Sequence, residues 1–152
     1  MEVSNRYYLL IAGSRDFHDY AYFRMKVDAH IEHLQSGCCD PVEIVIITGR
    51  ASSGADDMAY HYAKRDRKLP LKEFKADWQK DGSWAGVLRN MKMVDYIVEQ
   101  GRGEVIAFWD GKSPGTKQCL AYAGAQNVPV VVDLIEPANY AQPPEVYGYL
   151  YG

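Results

Sequence analysis

"VEIVIITGRASSGADDMAYHYA", residues Val42 to Ala63, changes its hydrophobic rhythm at the middle. Val42 to Thr48 is a β-branched run of strand length, near-continuously apolar past Glu43 and closed by Gly49. Past the serines, Ala55, Met58, Ala59, Tyr62 and Ala63 recur at i, i+3, i+4, i+7 and i+8, the spacing of one buried helical stripe. A strand without polar alternation, a glycine turn and a helix together make one unit of a parallel sheet. Parallel neighbours need a crossover, and near-continuous apolar strands are those covered on both faces.

The unit repeats along the chain. "YYLLIA" (Tyr7 to Ala12) ends at Gly13, and "EVIAFW" (Glu104 to Trp109) ends at Asp110-Gly111. "VPVVVDL" (Val128 to Leu134) closes the series, while "LKEFK" (Leu71 to Lys75) follows Pro70 and alternates like an edge strand. Helical stripes are expected at Phe23, Val27, His30, Ile31 and Leu34, with Gly37 as a stop, and at Val87, Leu88, Met91, Val94 and Val98. A last helix, rich in small residues, is expected around Gly115 to Gln126. The order predicts an α/β fold, a doubly wound parallel sheet of about five strands with helices on both faces. Residues 1–134 form one domain in this reading. Residues 135–152, with three prolines and four tyrosines, form an irregular tail.

Bulk properties narrow the function. A net charge of −3 gives no global basic field for nucleic acid or anionic membrane. No apolar run approaches the ~20 residues of a membrane span, so no membrane partner is expected. Three cysteines, two of them adjacent (Cys38 and Cys39), form no disulfide framework and suit a cytoplasmic protein. His30 and His33 near those cysteines lack zinc-ligand spacing, and no metal is expected. The Gly-Lys-Ser of "AFWDGKSPGTKQ" is not a Walker loop, because Ile106 stands where its first glycine belongs.

In a doubly wound sheet the carboxyl ends of all strands share one rim, and ligands bind there. That rim collects "GSRDF", "TGRASSGAD", "ADWQKDGSWAG" and "WDGKSPGT". Glycines let backbone approach a ligand, and helix starts offer free N–H groups and a positive dipole end to phosphate. The candidate binding residues are therefore Gly13, Ser14, Arg15, Gly49, Arg50, Ser53, Gly54, Asp56, Arg89, Asn90, Gly111, Ser113, Gly115 and Thr116. Asp16, Asp56 or Asp110 is suited to accept from ribose hydroxyls. Trp78, Trp84 or Trp109 is suited to cover a base, with Trp78 and Trp109 preferred.

Together "GSRDF", "TGRASSGADDMAYHYA", "ADW", "AGVLRNMKMV" and "AFWDGKSPGT" resemble the SLOG superfamily, named from the Smf/DprA and LOG proteins, and most of all its YspA-like branch of small bacterial and phage proteins. The resemblance runs in order from Tyr7 to about Asp133. It implies a Rossmann-like fold that binds a nucleotide, ADP-ribose or an NAD-like molecule at the strand ends, with no further cofactor required. LOG members are phosphoribohydrolases that use an arginine in an R-K-x-x-M helix and a glutamate directly after P-G-G-x-G-T-x. Arg89 in "RNMKM" matches that arginine, but Gln118 stands at the glutamate position. An amide can neither act as a carboxylate base nor stabilise an oxocarbenium ion by charge.

The leading expectation is thus a small-molecule binding domain with a sensing or sequestering role. Two alternatives stand beside it. One is N-glycosidic hydrolysis of a nucleoside monophosphate, with Arg89, Gln118 and Asp110 as catalytic candidates and Asp16 or Asp56 as substitute carboxylates. The other is single-stranded nucleic-acid binding of the DprA type. A homo-oligomer is compatible with every reading.

Overall fold

The computed structural model describes residues 5–36, 41–49, 51 and 53–136. In it the opening stretch is strand β2 (Glu43–Thr48) followed by helix α2 (Ala55–His61). The remaining strands are β1 (Arg6–Gly13), β3 (Leu71–Glu73), β4 (Gly103–Trp109) and β5 (Val130–Leu134). The other helices are α1 (Tyr20–Gln35), α3 (Trp78–Asp81), α4 (Ala85–Gln100) and α5 (Pro114–Ala125). All pairings are parallel, in the order β3-β2-β1-β4-β5, so β1 is central and short β3 lies at an edge. This is the expected doubly wound sheet.

Strand alternation divides the core in two. Leu9, Ile11, Ile44, Ile46, Ile106 and Phe108 meet Phe23 and Val27 of α1 and Met58 and Ala59 of α2. Tyr8, Leu10, Val45, Ile47 and Val105 meet Met93, Val94 and Ile97 of α4 and Cys119 and Ala123 of α5. Each fully buried aliphatic or aromatic side chain contributes ~1.5–3 kcal/mol, so both layers stabilise the central strands. Asp19 caps α1 by accepting from the Tyr22 N–H at 3.1 Å. The stripe of α2 runs on into a π-helical turn, Tyr62–Asp66, where Tyr62 donates to Asp28 of α1 and Arg67 pairs with the same carboxylate.

Two expectations need correction. The stripe read on α4 is rotated: Ala85, Asn90, Met93, Val94 and Ile97 are buried, whereas Leu88 and Val98 are 36% and 47% exposed. The true stripe contains the polar Asn90, whose amide is satisfied inside the molecule, so an apolar-only count selects the wrong face. In addition, β5 is not buried on both faces. Val130, Val131, Val132 and Leu134 are all at least 40% exposed among the described residues, because β5 ends the sheet. Ile135 just beyond it is buried, and its N–H donates to the Trp109 carbonyl at 2.9 Å. Gly37, Cys38, Cys39, Arg50, Ser52 and residues 137–152 lie outside the described residues. No helix among the described residues is long and apolar enough to cross a membrane.

Candidate functional site

The chain winds outward from β1 through β2 to β3, then crosses back to place β4 on the other side of β1. Loops leaving β1 and β4 therefore diverge to opposite faces, which opens a crevice at their carboxyl ends. A cavity of about 380 Å³ occupies that crevice. Its walls come from the end of β1 and the turn after it, from α2 and the loop before it, from α3 through α4, and from the start of α5.

The turn after β1 is held by close backbone packing. A Cβ on Gly13 would lie 2.4 Å from the Phe108 carbonyl oxygen and 2.8 Å from Ala55 Cβ. Gly54, at φ +77°, has no room either: its Cβ would meet the Ser14 carbonyl oxygen at 2.3 Å. These two glycines let the turn press against the start of α2, where the Ala55 N–H donates to the Ser14 carbonyl at 3.3 Å. Gly13 lines the cavity, whereas Gly54 lies behind its wall.

Ser14 is buried, and Arg15 beside it is exposed at the cavity. Ser14 Oγ accepts from the Asp110 N–H at 3.2 Å and lies 3.2 Å from Ser113 Oγ. The Asp110 carboxylate accepts from the N–H groups of Lys112 and Ser113, at 2.8 and 2.7 Å, and from Ser113 Oγ at 2.9 Å. Burial would raise this carboxyl, but those bonds outweigh it and hold the group below the usual carboxylate range. Asp110 thus organises the loop between β4 and α5 and does not line the cavity. Trp109 serves the same loop, since its Nε1 donates to the Ser113 carbonyl at 3.1 Å. Gly111 is exposed, Ser53 is half-buried, and neither borders the cavity. Ser113, Gly115 and the buried Thr116 do border it, at the N-terminal turn of α5.

Asp56 is a carboxylate on the cavity wall and only 8% exposed. Its carbonyl is anchored by Thr48 Oγ1 at 2.8 Å. Burial pushes its carboxyl up to about 6, against the opposing pull of Arg89, the Ala51 N–H and Arg15. Gly49 lies beneath this pair rather than on the cavity surface: a Cβ there would sit 2.9 Å from Arg89 Nε and 3.0 Å from Asp56 Oδ2. Arg89 donates from Nη1 to the Gly49 carbonyl at 3.3 Å and from Nε and Nη2 to Asn90 Oδ1 at 3.3 and 3.2 Å. Asn90 Nδ2 in turn donates to the Gly115 carbonyl and to Gln118 Oε1, at 3.3 and 3.1 Å. Gln118 therefore ties α5 to α4 and does not border the cavity.

Trp78 of α3 is 54% exposed and forms the outer wall beside Gly86, while Trp84 is 67% exposed and away from the cavity. The apolar walls Val87, Met93 and Cys119 were not singled out from the sequence as site residues. For Met93 the missed signal is the rotated stripe of α4. Burial pushes the Cys119 thiol up to about 12, so it is no thiolate nucleophile at neutral pH. Among the described residues no group of three or more His, Cys, Asp or Glu side chains could hold a metal ion. A larger groove of about 530 Å³ lies along the C-terminal half of α1, but its arginine, Arg67, is already paired with Asp28.

A model of the YAcAr family, described as YspA, cpYpsA-related SLOG, matches residues 8–80. That span carries the Gly13 and Gly54 turns, Asp56 and Trp78. The Gene 61 protein of Mycobacterium phage D29 is 35% identical over 128 residues, which cover 81% of this chain and 93% of that protein.

Proposed function

Because the chain belongs to the YspA, cpYpsA-related SLOG family, we propose that its cavity binds one nucleotide unit and that the protein acts as a cytoplasmic nucleotide sensor or sequestering domain. One observation carries this reading. Arg15 and Ser14 of the turn after β1 and Thr116 at the N-terminal turn of α5 form one polar group on the cavity wall, where Ser14 Oγ lies 3.2 Å from Ser113 Oγ, and Trp78 of α3 also lines the cavity. Phosphate goes to the first group and the base to Trp78. Hydrogen bonds to charged groups contribute ~1.5–3 kcal/mol each, so two or three offset part of the association cost and fix the phosphate, and burial of the base against Trp78 adds to affinity. The volume sits near the low end of the roughly 300–1,000 Å³ range of small-molecule pockets, which favours a mononucleotide. ADP-ribose or an NAD-like ligand would extend past Trp78 into solvent.

A thermal-shift panel of nucleoside monophosphates, ADP-ribose and NAD tests the proposal. Ligand at about 100 times Kd adds ~2.7 kcal/mol of stability. A panel in which no compound raises Tm refutes it.

Hydrolysis of the N-glycosidic bond is the second reading, and Asp56 is what favours it. Of the three substitute carboxylates, Asp110 is committed to its loop and Asp16 is exposed, whereas Asp56 is buried on the cavity wall beside Arg89. Chromatography of a nucleoside monophosphate incubated with the protein separates the readings: binding alone leaves it intact, and turnover releases free base. Nucleic-acid binding is the least supported, since two arginines on the cavity wall are matched by Asp16 and Asp56. A steep loss of single-stranded DNA affinity with salt would revive it.

A further inference from the structure

We propose that the cavity takes up its anionic ligand together with a proton, and that Asp56 carries that proton. The inference rests on the anion-binding reading above and concerns how the same site is regulated. Its basis is an unusual placement, a buried carboxylate on the wall of a cavity suited to an anion. The charged side chains lining the cavity among the described residues are Arg15 and Arg89 against Asp16 and Asp56. With both carboxylates ionised the wall is neutral, and a phosphate gains little net attraction. Protonating Asp56 leaves one positive charge in excess and removes the repulsion from the buried carboxylate. It also turns an acceptor into an O–H donor, which a phosphate oxygen can use.

No other group on the wall is suited to this exchange. Arg89 faces Asp56 from α4, Arg15 from the turn after β1, Asp57 from its own helix and Cys119 from α5. The arginines stay charged, and the Cys119 thiol stays protonated. None of the histidines, His18, His30, His33 or His61, lines the cavity. Asp56 alone has a carboxyl raised to about 6, close enough to neutrality for a nearby anion to carry it through the physiological range. The sign follows from linkage. An anion raises the Asp56 pKa further, so affinity rises as pH falls from the higher, ligand-bound value towards about 6, by up to tenfold per pH unit. Below that value the gain levels off.

Sulfate is the probe, because its charge stays constant across this range. Calorimetric titration of wild-type protein should give a Kd three- to tenfold tighter at pH 7 than at pH 8. In two buffers of different ionisation enthalpy at pH 7.5, it should report uptake of a proton. Asp56→Asn carries a permanent neutral amide. It should bind sulfate with a flat pH profile and, at pH 8, several-fold more tightly than wild type. Sulfate binding without proton uptake in wild type overturns the proton link whatever the variant does. So does an Asp56→Asn protein that is folded by circular dichroism and binds more weakly. Both outcomes leave the nucleotide reading standing. If sulfate binds at no pH the proton proposal falls, and if no nucleoside monophosphate binds either the nucleotide reading falls with it.

Discussion

Asp56→Asn should stabilise the protein at pH 8 and not at pH 4. In the folded chain the Asp56 carboxyl is raised from 3.8 to about 6, chiefly by burial. A group raised on folding contributes its full stability below its unfolded value and loses it as pH rises through the folded one. Two units at ~1.36 kcal/mol each make the ionised carboxylate a burden of about 3 kcal/mol at pH 8. Asparagine keeps the shape and an oxygen for the Ala51 N–H, but has no charge to desolvate. At ~2–4 °C per kcal/mol for a chain of this length, Tm should rise by about 6–12 °C at pH 8. At pH 4 the two proteins should agree to within about 1 kcal/mol, the worth of one hydrogen bond. Urea denaturation at both pH values provides the measurement. A variant no more stable than wild type at pH 8, or equally stabilised at both, would refute the reasoning, because the gain would then not come from a desolvated charge.

Arg15→Ala should weaken nucleoside monophosphate binding by ~2 kcal/mol while leaving the denaturation midpoint unchanged, since Arg15 is exposed. Arg15→Lys should recover only part of that loss by calorimetry, because ammonium lacks the planar fork. Gly54→Ala should cost ~2–4 kcal/mol in urea denaturation, from positive φ and from the collision with the Ser14 carbonyl. Asp110→Ala should cost ~1–2 kcal/mol at neutral pH. Because this carboxyl is lowered in the folded chain, the difference from wild type should shrink as pH falls through its folded value. Gln118→Glu should not produce free base from a nucleoside monophosphate, since residue 118 lies off the cavity; chromatography reads the outcome.

The fold was legible because hydrophobic rhythm carries it. Strands β1, β2 and β4 are apolar runs closed by glycine or Asp-Gly, and the α2 stripe is buried as its spacing indicates. What sequence could not convey is how loops meet one another. Gly54 and Asp110 look like ligand contacts in their own segments, yet one makes room for the Ser14 backbone and the other fastens the loop that holds Ser113. Trp109 looks like a stacking surface until its indole N–H is found on the Ser113 carbonyl. Asn90 misled in the opposite direction. As a polar residue it was left off the α4 stripe, although it is 6% exposed and bonded to Arg89 beside it and to Gly115 and Gln118 of α5. The Ser14 partner of Gly54 and the Gly115 and Gln118 partners of Asn90 lie 25 or more residues away along the chain, and local pattern does not reach them.

The same network separates fixed parts of the site from adaptable ones. The protein hydrogen bonds of Arg89 measure 3.2–3.3 Å, longer than the ~2.9–3.0 Å typical of N–H···O pairs. Charge-assisted bonds to phosphate oxygens settle at ~2.7–2.9 Å and are roughly twice as strong. An arginine so loosely held can exchange its partners for a phosphate at little cost. Asn90 differs in what its bonds join and not in their length: its amide links α4 to Gly115 and Gln118 of α5, so exchanging those partners would part the helix pair. Gln118 suits that post better than a glutamate would: an uncharged amide oxygen can sit half-buried between α4 and α5 without the desolvation that raises Asp56. Gln118 thus works as a strut, and the buried charge stands instead on α2, against the cavity.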